Sequence, residues 1–173
     1  MIKIGIVIQA RMNSSRLPGK VLMDFCGKPM LLFQIELLNR FGYKNNIVVA
    51  TTTSPQDNAI EKICLKKEIL YIRGNEDNVF QRYQSVAKCF CFHHIVRLTG
   101  DNPITNFRIL NDCLKAHLES QTDLTSTRRY RSDRTMERYV VKGNSIDIIN
   151  CKTLLSIDAE SLNKFQKEHV IPI

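Results

Sequence analysis

Short runs rich in isoleucine and valine alternate along this chain with longer segments whose apolar residues recur every three or four positions. A short apolar run predicts a strand buried on both faces, and the longer spacing predicts an amphipathic helix. The predicted strands are residues 3–8, 46–50, 69–72 and 94–98, and the predicted helices are residues 30–41, 55–67, 77–90 and 109–118. This alternation is typical of βαβ units. Because 173 residues suit one domain, we predict a single α/β domain with a mostly parallel sheet flanked by helices.

Polar loops follow all four predicted strands, at residues 9–20, 51–54, 73–78 and 99–103. In an open α/β sheet, ligands bind beyond the carboxyl ends of the strands. Since these ends meet at one edge of the sheet, we expect the four loops to form one rim. The binding site is therefore predicted at this rim.

The first loop, residues 9–20, reads QARMNSSRLPGK. Its cations Arg11, Arg16 and Lys20 come directly after a buried strand, so they can converge with backbone amides on one anion. The loop is not a Walker A motif, because Lys20 is followed by Val21, and the chain has no GxGxxG dinucleotide fingerprint. A solvated basic loop is the alternative interpretation. The position at the end of a buried strand favours a phosphate site.

The fourth loop follows a strand and reads TGDNP, with Asp101 at its centre. Gly100 permits close approach of the backbone to a ligand, and Pro103 stiffens the exit. A carboxylate on a phosphate-binding rim repels its ligand unless a divalent cation lies between them, as Mg²⁺ does in many nucleotide sites. An ordinary turn role for Asp101 is the alternative. Together with the basic loop, the sequence predicts Asp101 as a ligand of Mg²⁺.

The net charge of +8 suits either nucleic acid or nucleotide phosphates as a partner. The basic residues cluster at residues 9–20 and 128–138, without the interleaved aromatic residues of a single-strand platform and without a helix-turn-helix or zinc-finger pattern. We therefore expect no nucleic-acid partner. Acidic residues interrupt the second cluster, which favours a solvated or subunit-contacting loop over direct substrate binding.

The remaining composition excludes several other classes of protein. The six cysteines form no CxxC pair and no zinc-like spacing, so we expect free thiols. The apolar residues 1–8 lack a signal-peptide cleavage pattern, and no segment is apolar enough to span a bilayer. These features predict a cytoplasmic protein with no membrane partner.

Several motifs occur in a fixed order: residues 9–20, GKPML at 27–31, VATT at 49–52, RG at 73–74 and TGDNP at 99–103. This set resembles the spore-coat polysaccharide biosynthesis protein F family, relatives of the 3-deoxy-manno-octulosonate and N-acylneuraminate cytidylyltransferases. The likeness continues through residues 123–126, 143–147 and 168–170, so it covers nearly the whole chain.

The resemblance implies a fold like that of the nucleotide-diphospho-sugar transferases. It also implies transfer of CMP from CTP to a sugar or sugar acid, with release of pyrophosphate and with Mg²⁺ as cofactor, for surface polysaccharide biosynthesis. A homodimer is implied as well. The resemblance implies that the catalytic residues are Arg11, Lys20 and Asp101, with Asp101 also as the metal ligand. It implies Asp147 as the acceptor-binding residue. The implied nucleotide-binding residues are Gln9, Ala10, Arg11, Arg16, Lys20, Thr51, Thr52, Arg73 and Gly100.

The sequence departs from the family pattern at two places. Residues 143–147 read GNSID where the family has Gly-x-Asp-Val-Glu, so one acid is lost and the other is shortened to Asp147, in a segment where relatives hold the acceptor. Family members also continue into a Val-Asp-Thr-Pro-Glu-Asp segment with the second metal ligand, so we expect residues 1–173 to form a cytidylyltransferase-like domain that lacks it. A non-catalytic nucleotide-binding module, or a sugar-1-phosphate nucleotidyltransferase that uses another nucleotide, remains an alternative.

Overall fold

The computed structural model describes residues 1–14, 16–130 and 135–170 of the chain. Residue 15 of the first loop and residues 131–134 of the late basic cluster, both part of the predictions above, lie outside the described residues. In the described parts, every helix is too short or too polar to cross a membrane.

The strands of the described residues form a central sheet and a small two-stranded sheet. Their bounds are β1 Ile4–Gln9, β2 Ile47–Thr52, β3 Leu70–Gly74, β4 His94–Thr99, β5 Leu124–Ser126, β6 Arg128–Tyr130, β7 Met136–Arg138 and β8 Asp147–Asn150. The central sheet has the order β3-β2-β1-β4-β8-β5, and β6 pairs with β7. The first four strands are parallel, whereas β8 is antiparallel to both β4 and β5. The predicted mostly parallel sheet is therefore confirmed.

Helices cover both faces of this sheet. Their bounds are α1 Met30–Arg40, α2 Asn58–Lys66, α3 Val79–Phe90, α4 Phe107–Ser120, α5 Cys151–Ser156 and α6 Lys164–His169. The apolar residues of α1, α2 and α4 pack against one face, and those of α3 and α5 pack against the other. Successive residues of a strand point to opposite faces, so Ile6 and Ile8 belong to the first core and Val7 to the second. Because both faces are covered, the inner strands are continuous apolar runs.

The sheet order determines where the rim loops meet. Strand β1 lies at the centre, with β2 on one side and β4 on the other, and Gln9 is the register partner of Thr99. The amide of Gly100 donates to the carbonyl of Gln9 at 2.9 Å, so the chain segments that leave β1 and β4 stay side by side. The first and fourth rim loops are thereby adjacent, as the strand pattern predicted.

Candidate functional site

A cavity of about 240 Å³ opens beyond the carboxyl ends of β1 and β4. Predicted site residues that line it are Gln9, Ala10, Arg11, Arg16, Lys20 and Asp101. The structure thus brings the basic first loop and the carboxylate of the fourth loop together. Three cations and the carboxylates of Asp101 and Glu168 line this open cavity, a set of groups that suits a polyanion accompanied by a divalent cation.

The first loop is held in shape by hydrogen bonds to its backbone. The amide of Gly19 donates to the carbonyl of Met12 at 2.7 Å, and Gly19 has a φ of 74°. A side chain is strained at this angle, so glycine is the suitable residue. The amide of Met12 donates at 2.7 Å to the buried carboxylate of Asp57, which also accepts from the amide of Thr52 at 3.2 Å. Asp57 therefore links the first loop to the end of β2.

Asp57 was not among the predicted site residues. It lies within the segment that the sequence assigns to a helix, where an acidic residue is expected to be solvated. Its role depends on the packing of two loops that are distant in sequence, so no local signal identifies it.

The Asp101 carboxylate contacts the ammonium group of Lys20 through Oδ2. Burial raises the pKa of Asp101, but hydrogen bonds from Lys20 and Thr99 outweigh this effect and hold the pKa below its usual value. The side chain of Asp101 remains 35% exposed and that of Lys20 22%. A charged carboxylate is therefore present at the rim and is accessible from the cavity.

The other two cations of the cavity are more open. Arg11 lies 3.7 Å from Glu76, in a pair whose side chains are 41% and 29% exposed, and Arg16 is exposed. Exposed ion pairs of this kind are weak, so both guanidinium groups can turn toward a ligand.

Gly100 lies where the two rim loops approach most closely. A Cβ atom at this position would come within 3.1 Å of the Ala10 Cβ and 3.3 Å of the Gln9 carbonyl oxygen. A larger residue would push these segments apart and distort the cavity wall, so glycine suits the packing of the two loops, and the contact of Gly100 with a ligand stays a prediction.

Thr51, Thr52 and Arg73 are not brought to this cavity. Strand β2 continues through Thr52, two residues beyond its predicted end, and both threonines are fully buried. Arg73 forms an ion pair with Glu61 at 2.6 Å and donates to the carbonyls of Thr52 at 2.7 Å and Ser54 at 2.9 Å. Arg73 thus links the ends of β2 and β3, whereas the buried hydroxyl of Thr51 has no hydrogen-bond partner among the described residues.

Asp147, expected to face an acceptor, is enclosed and only 1% exposed. It accepts from Arg97 Nη1 at 2.8 Å, from Ser126 Oγ at 2.6 Å and from Arg128 Nε at 3.2 Å. Burial raises its pKa, but the two guanidinium groups outweigh burial and hold the pKa below its usual value. Because these partners occupy both carboxylate oxygens, Asp147 presents no free surface to an acceptor.

The position of Arg128 also corrects the expectation for the late basic cluster. That cluster was predicted to be solvated or subunit-contacting, yet the Arg128 side chain is only 10% exposed and pairs with Asp147. Arg129 and Arg138, on the paired strands β6 and β7, are exposed as expected. A buried carboxylate opposite Arg128 accounts for the difference, because it compensates the buried charge.

Hydrogen bonds connect the Asp147 cluster with the cavity. Besides binding Asp147, Arg97 donates from Nε to Gln9 Oε1 at 3.1 Å. The Tyr83 hydroxyl lies 3.4 Å from the same oxygen. Gln9 lines the cavity, so the buried cluster fixes the orientation of a cavity residue.

Two further residues face this region and were absent from the predicted site. Glu168 of α6 lines the main cavity, and it also lines a neighbouring cavity of about 70 Å³ with Val79 and Arg82 of α3. Glu168 falls in a segment that contributed to the family resemblance, whereas Arg82 carried no sequence signal. Within the described residues, no group of three or more histidine, cysteine, aspartate and glutamate side chains could hold a metal ion.

The sequence matches the model of the cytidylyltransferase family over residues 5–173. It is 31% identical to the uncharacterized protein MJ1063 of Methanocaldococcus jannaschii over 98% of this chain and 66% of that protein. It is 29% identical to the spore coat polysaccharide biosynthesis protein SpsF of Bacillus subtilis, over 96% and 68% of the two chains. It is 27% identical to the 3-deoxy-manno-octulosonate cytidylyltransferase of Francisella philomiragia, over 73% of this chain and 51% of that protein.

A solved structure shows the same likeness in three dimensions. The cytidylyltransferase from Leptospira borgpetersenii superimposes with a TM-score of 0.87 at 32% identity, over 99% of this chain and 70% of that one. The chain thus spans between about half and about two thirds of the length of the curated relatives above. The match over residues 5–173 includes both loops of the cavity. By its sequence and its fold, the chain belongs to the cytidylyltransferase family.

Proposed function

We propose that this chain transfers CMP from CTP to a hydroxyl group of a sugar or sugar acid, with release of pyrophosphate. The observation that carries the proposal is the convergence of Arg11, Arg16, Lys20 and Asp101 on one cavity at the carboxyl ends of β1 and β4. Family membership supports the cytidylyl group as the transferred unit. The likeness to SpsF, named for spore coat polysaccharide biosynthesis, supports a role in making a surface polysaccharide.

The nucleotide is proposed to lie with its phosphates among the cations of the first loop. A triphosphate carries about four negative charges and is best bound by several charge-assisted hydrogen bonds. Arginine can hold two phosphate oxygens at once, and lysine acts as a point charge. The residues proposed to contact the nucleotide are Gln9, Ala10, Arg11, Arg16, Lys20 and Gly100. Because Thr52 and Arg73 are held by hydrogen bonds within the rim and Thr51 is fully buried, we assign these three residues to support of the rim.

The donor set of the cavity fits Mg²⁺ as an ion that binds together with the nucleotide. Mg²⁺ is commonly held by one or two carboxylates plus substrate phosphates, and Asp101 supplies an accessible carboxylate beside the phosphate-binding cations. When bound, the ion would neutralise charge on the phosphates. Asp101 would hold it, and Lys20, which contacts Asp101 in this structure, would compete with it for the carboxylate.

Catalysis by the chain's own residues would be a matter of position and charge. An acceptor hydroxyl attacks the α-phosphorus while pyrophosphate leaves, and negative charge develops on the phosphoryl oxygens. Arg11 and Lys20 are placed to stabilise this charge, because both line the cavity and neither is enclosed by a buried carboxylate. Cations positioned around the reacting phosphate account for much of catalysis in phosphoryl and nucleotidyl transfer.

Three expectations from the sequence are retained as parts of this proposal. Residues 1–173 are proposed to act as one cytidylyltransferase-like domain, the protein is proposed to work in the cytoplasm, where its substrate CTP is made, and two copies are proposed to form a homodimer. Light scattering at high protein concentration tests the last point, and a monomeric mass would contradict it.

The proposed activity is tested by two measurements on the same protein. CTP with Mg²⁺ should raise the melting temperature more than ATP, GTP or UTP does, because ligand binding to the native state alone stabilises it. Pyrophosphate release should then follow on addition of a matching sugar acid from a panel. Equal thermal shifts with all four nucleotides would contradict the assignment of CTP as the substrate, but they would remain consistent with a phosphate-binding site. A shift with CTP but no turnover with any acceptor would favour a non-catalytic nucleotide-binding module.

A further inference from the structure

Gln34 is a buried polar residue on the apolar face of α1. It is only 1% exposed, and it lies one turn from Leu31 and Leu38, which belong to the core. A glutamine is rarely buried in a core unless hydrogen bonds compensate its polar atoms. The partners of its amide group therefore indicate what this residue does.

The donating half of this amide holds the turn that carries Asp101. The Gln34 Nε2 donates to the carbonyl oxygens of Asn102 at 3.0 Å and Thr99 at 3.3 Å. The turn itself is closed by the Asn102 amide, which donates to the Thr99 carbonyl at 3.1 Å. Asp101 lies between the two ends of this turn, and Gln34 bonds to both ends.

These bonds determine how the amide group of Gln34 is oriented. The reverse orientation would bring its Oε1 against two carbonyl oxygens, which donate no hydrogen. Oε1 is instead buried without a hydrogen-bond partner among the described residues. A buried acceptor without a partner costs free energy, and a methionine at this position would avoid that cost. The role that requires glutamine here is thus the support of the turn.

Further hydrogen bonds connect the turn to the carboxylate of Asp101. The Asn102 Nδ2 donates to the Thr99 Oγ1 at 2.7 Å. The Thr99 hydroxyl bonds in turn to the Asp101 carboxylate. A hydroxyl group can accept one hydrogen bond and donate another, so the two bonds are compatible. The carboxylate is therefore linked through Thr99 and Asn102 to the buried Gln34.

The backbone is held on both sides of Asp101. The amide of Gly100 donates to the carbonyl of Gln9 at 2.9 Å, so the segment before Asp101 is attached to β1. The segment after Asp101 is attached to α1 through Gln34. A side chain supported in this way by packed elements keeps a defined position.

We infer that Gln34 is a positioning residue for Asp101, which it holds at the place where the metal ion and the phosphates meet. It acts through the turn, and it needs no contact with the ion or the nucleotide. A carboxylate that binds Mg²⁺ must be placed accurately, because this ion requires near-ideal octahedral geometry. The inference rests on the proposed function, in which Asp101 holds Mg²⁺.

The test compares two glutamines that each hold a pair of carbonyl groups. Gln34→Met removes both donated bonds and keeps a side chain of similar length. Gln84→Met in α3 is the matched control, because Gln84 Nε2 donates to the carbonyls of Leu154 at 2.9 Å and Ile157 at 2.7 Å on the other face of the sheet. Titration calorimetry with CTP, in Mg²⁺ and in chelator, measures the metal-dependent gain in affinity. In Gln34→Met this gain should fall about fivefold, the equivalent of one hydrogen bond, whereas the affinity in chelator should change less than about twofold. Gln84→Met should keep the whole gain.

Amide hydrogen exchange tests the same inference without CTP. The Asn102 amide closes the turn, so its exchange should be about fivefold faster in Gln34→Met, relative to the amides of β1, and unchanged in Gln84→Met. Thr99→Val, which removes only the hydroxyl beside Asp101, should also reduce the metal-dependent gain. If urea denaturation shows that Gln34→Met is unfolded, Thr99→Val decides, and an unchanged gain in that variant overturns the inference.

Other results would overturn the inference in distinct ways. Equal losses of the gain in Gln34→Met and Gln84→Met would show a general loosening of the fold. A full gain in Gln34→Met would show that Asp101 is positioned without Gln34. A wild-type protein with no Mg²⁺-dependent gain would contradict the proposed function instead, and the exchange of the Asn102 amide would then decide whether Gln34 holds the turn.

Discussion

Asp101 lies in the loop that follows β4 and Asp147 lies on the neighbouring strand β8, and both contact cations, but they differ in their access to water. Asp101 follows β4 and pairs with one lysine, and its side chain is 35% exposed. Asp147 begins β8, directly opposite Arg97 of β4, and its side chain is 1% exposed between two arginines. One carboxylate is thus available to a ligand and the other is part of the core.

The difference in exposure indicates that Asp101 serves ligand binding and that Asp147 serves the stability of the fold. A partly exposed ion pair contributes little to the free energy of folding, so its members can exchange partners when a ligand binds. A buried cluster cannot release a member without leaving an uncompensated charge in a medium of low dielectric. The Lys20–Asp101 pair therefore suits a binding site, and the Asp147 cluster suits a support behind it.

The largest effect is expected from Asp147→Asn. This change removes the buried carboxylate that the guanidinium groups of Arg97 and Arg128 both contact, and breaking a buried pair costs about 3–5 kcal/mol. Urea denaturation should show a loss of this size in the free energy of unfolding. Glu36→Gln, which removes an exposed partner of Lys28, serves as the control and should cost less than about 1 kcal/mol. Equal small losses in both variants would contradict the assignment of the cluster to the core.

A smaller effect, on binding instead of folding, is expected at the rim. Lys20→Ala and Arg16→Ala should each weaken triphosphate binding by about 1.5–3 kcal/mol, the range for hydrogen bonds to charged groups. Folding should hardly change, because both side chains lie at a solvated rim. Calorimetric titration with CTP measures the effect, and Lys115→Ala, in an exposed helix pair, is the matched control. Wild-type affinity for CTP in both rim variants would show that the first loop is a basic surface and does not bind the triphosphate.

Acid denaturation provides a finer comparison of the two carboxylates. Both pKa values lie below the usual value, so each group stabilises the native state above the unfolded pKa of about 3.9, and this contribution is lost as the pH falls through the folded pKa. Because Asp147 is the more enclosed, Asp147→Asn should flatten the decline of the unfolding free energy at acid pH more than Asp101→Asn does. Urea titrations repeated at several pH values below about 5 measure the slope. The reverse order would place the stronger native interactions at the rim.

The same contrast explains how much of the molecule could be predicted from its sequence. Strands β1 to β4 were identified because continuous isoleucine and valine are the local signature of strands buried on both faces. Strands β5 and β8 are three and four residues long and include Ser126 and Asp147, which have no strand preference. Their place in the sheet depends on partners such as Arg97 that are distant in sequence, and local patterns do not record such partners.

The predicted site follows the same division. Arg11, Lys20 and Asp101 were identified because they are polar residues directly after buried strands, a position that the sheet itself brings to the rim. Arg82 was missed because arginine on a helix is ordinarily solvated, and its burial arises only when α3 packs beneath Gly74. Sequence patterns thus predict the open part of the site better than the enclosed part.

The smallest effect on binding is expected from Asp101→Asn, and it tests the proposed role of this carboxylate directly. Without a metal ion, Asp101 repels phosphate, so its neutral replacement should leave nucleotide affinity unchanged or slightly higher when the metal is chelated. With Mg²⁺ present, the variant should lose the metal-dependent gain in affinity and any metal-dependent turnover, because the carboxylate that holds the ion is gone. Titration of CTP with and without chelator measures both quantities. Asp147→Asn should retain the Mg²⁺-dependent gain under conditions where it is folded, since its carboxylate is enclosed by arginines. If the gain were lost in Asp147→Asn and kept in Asp101→Asn, the functional carboxylate would be the buried one, and the division between rim and support would be wrong.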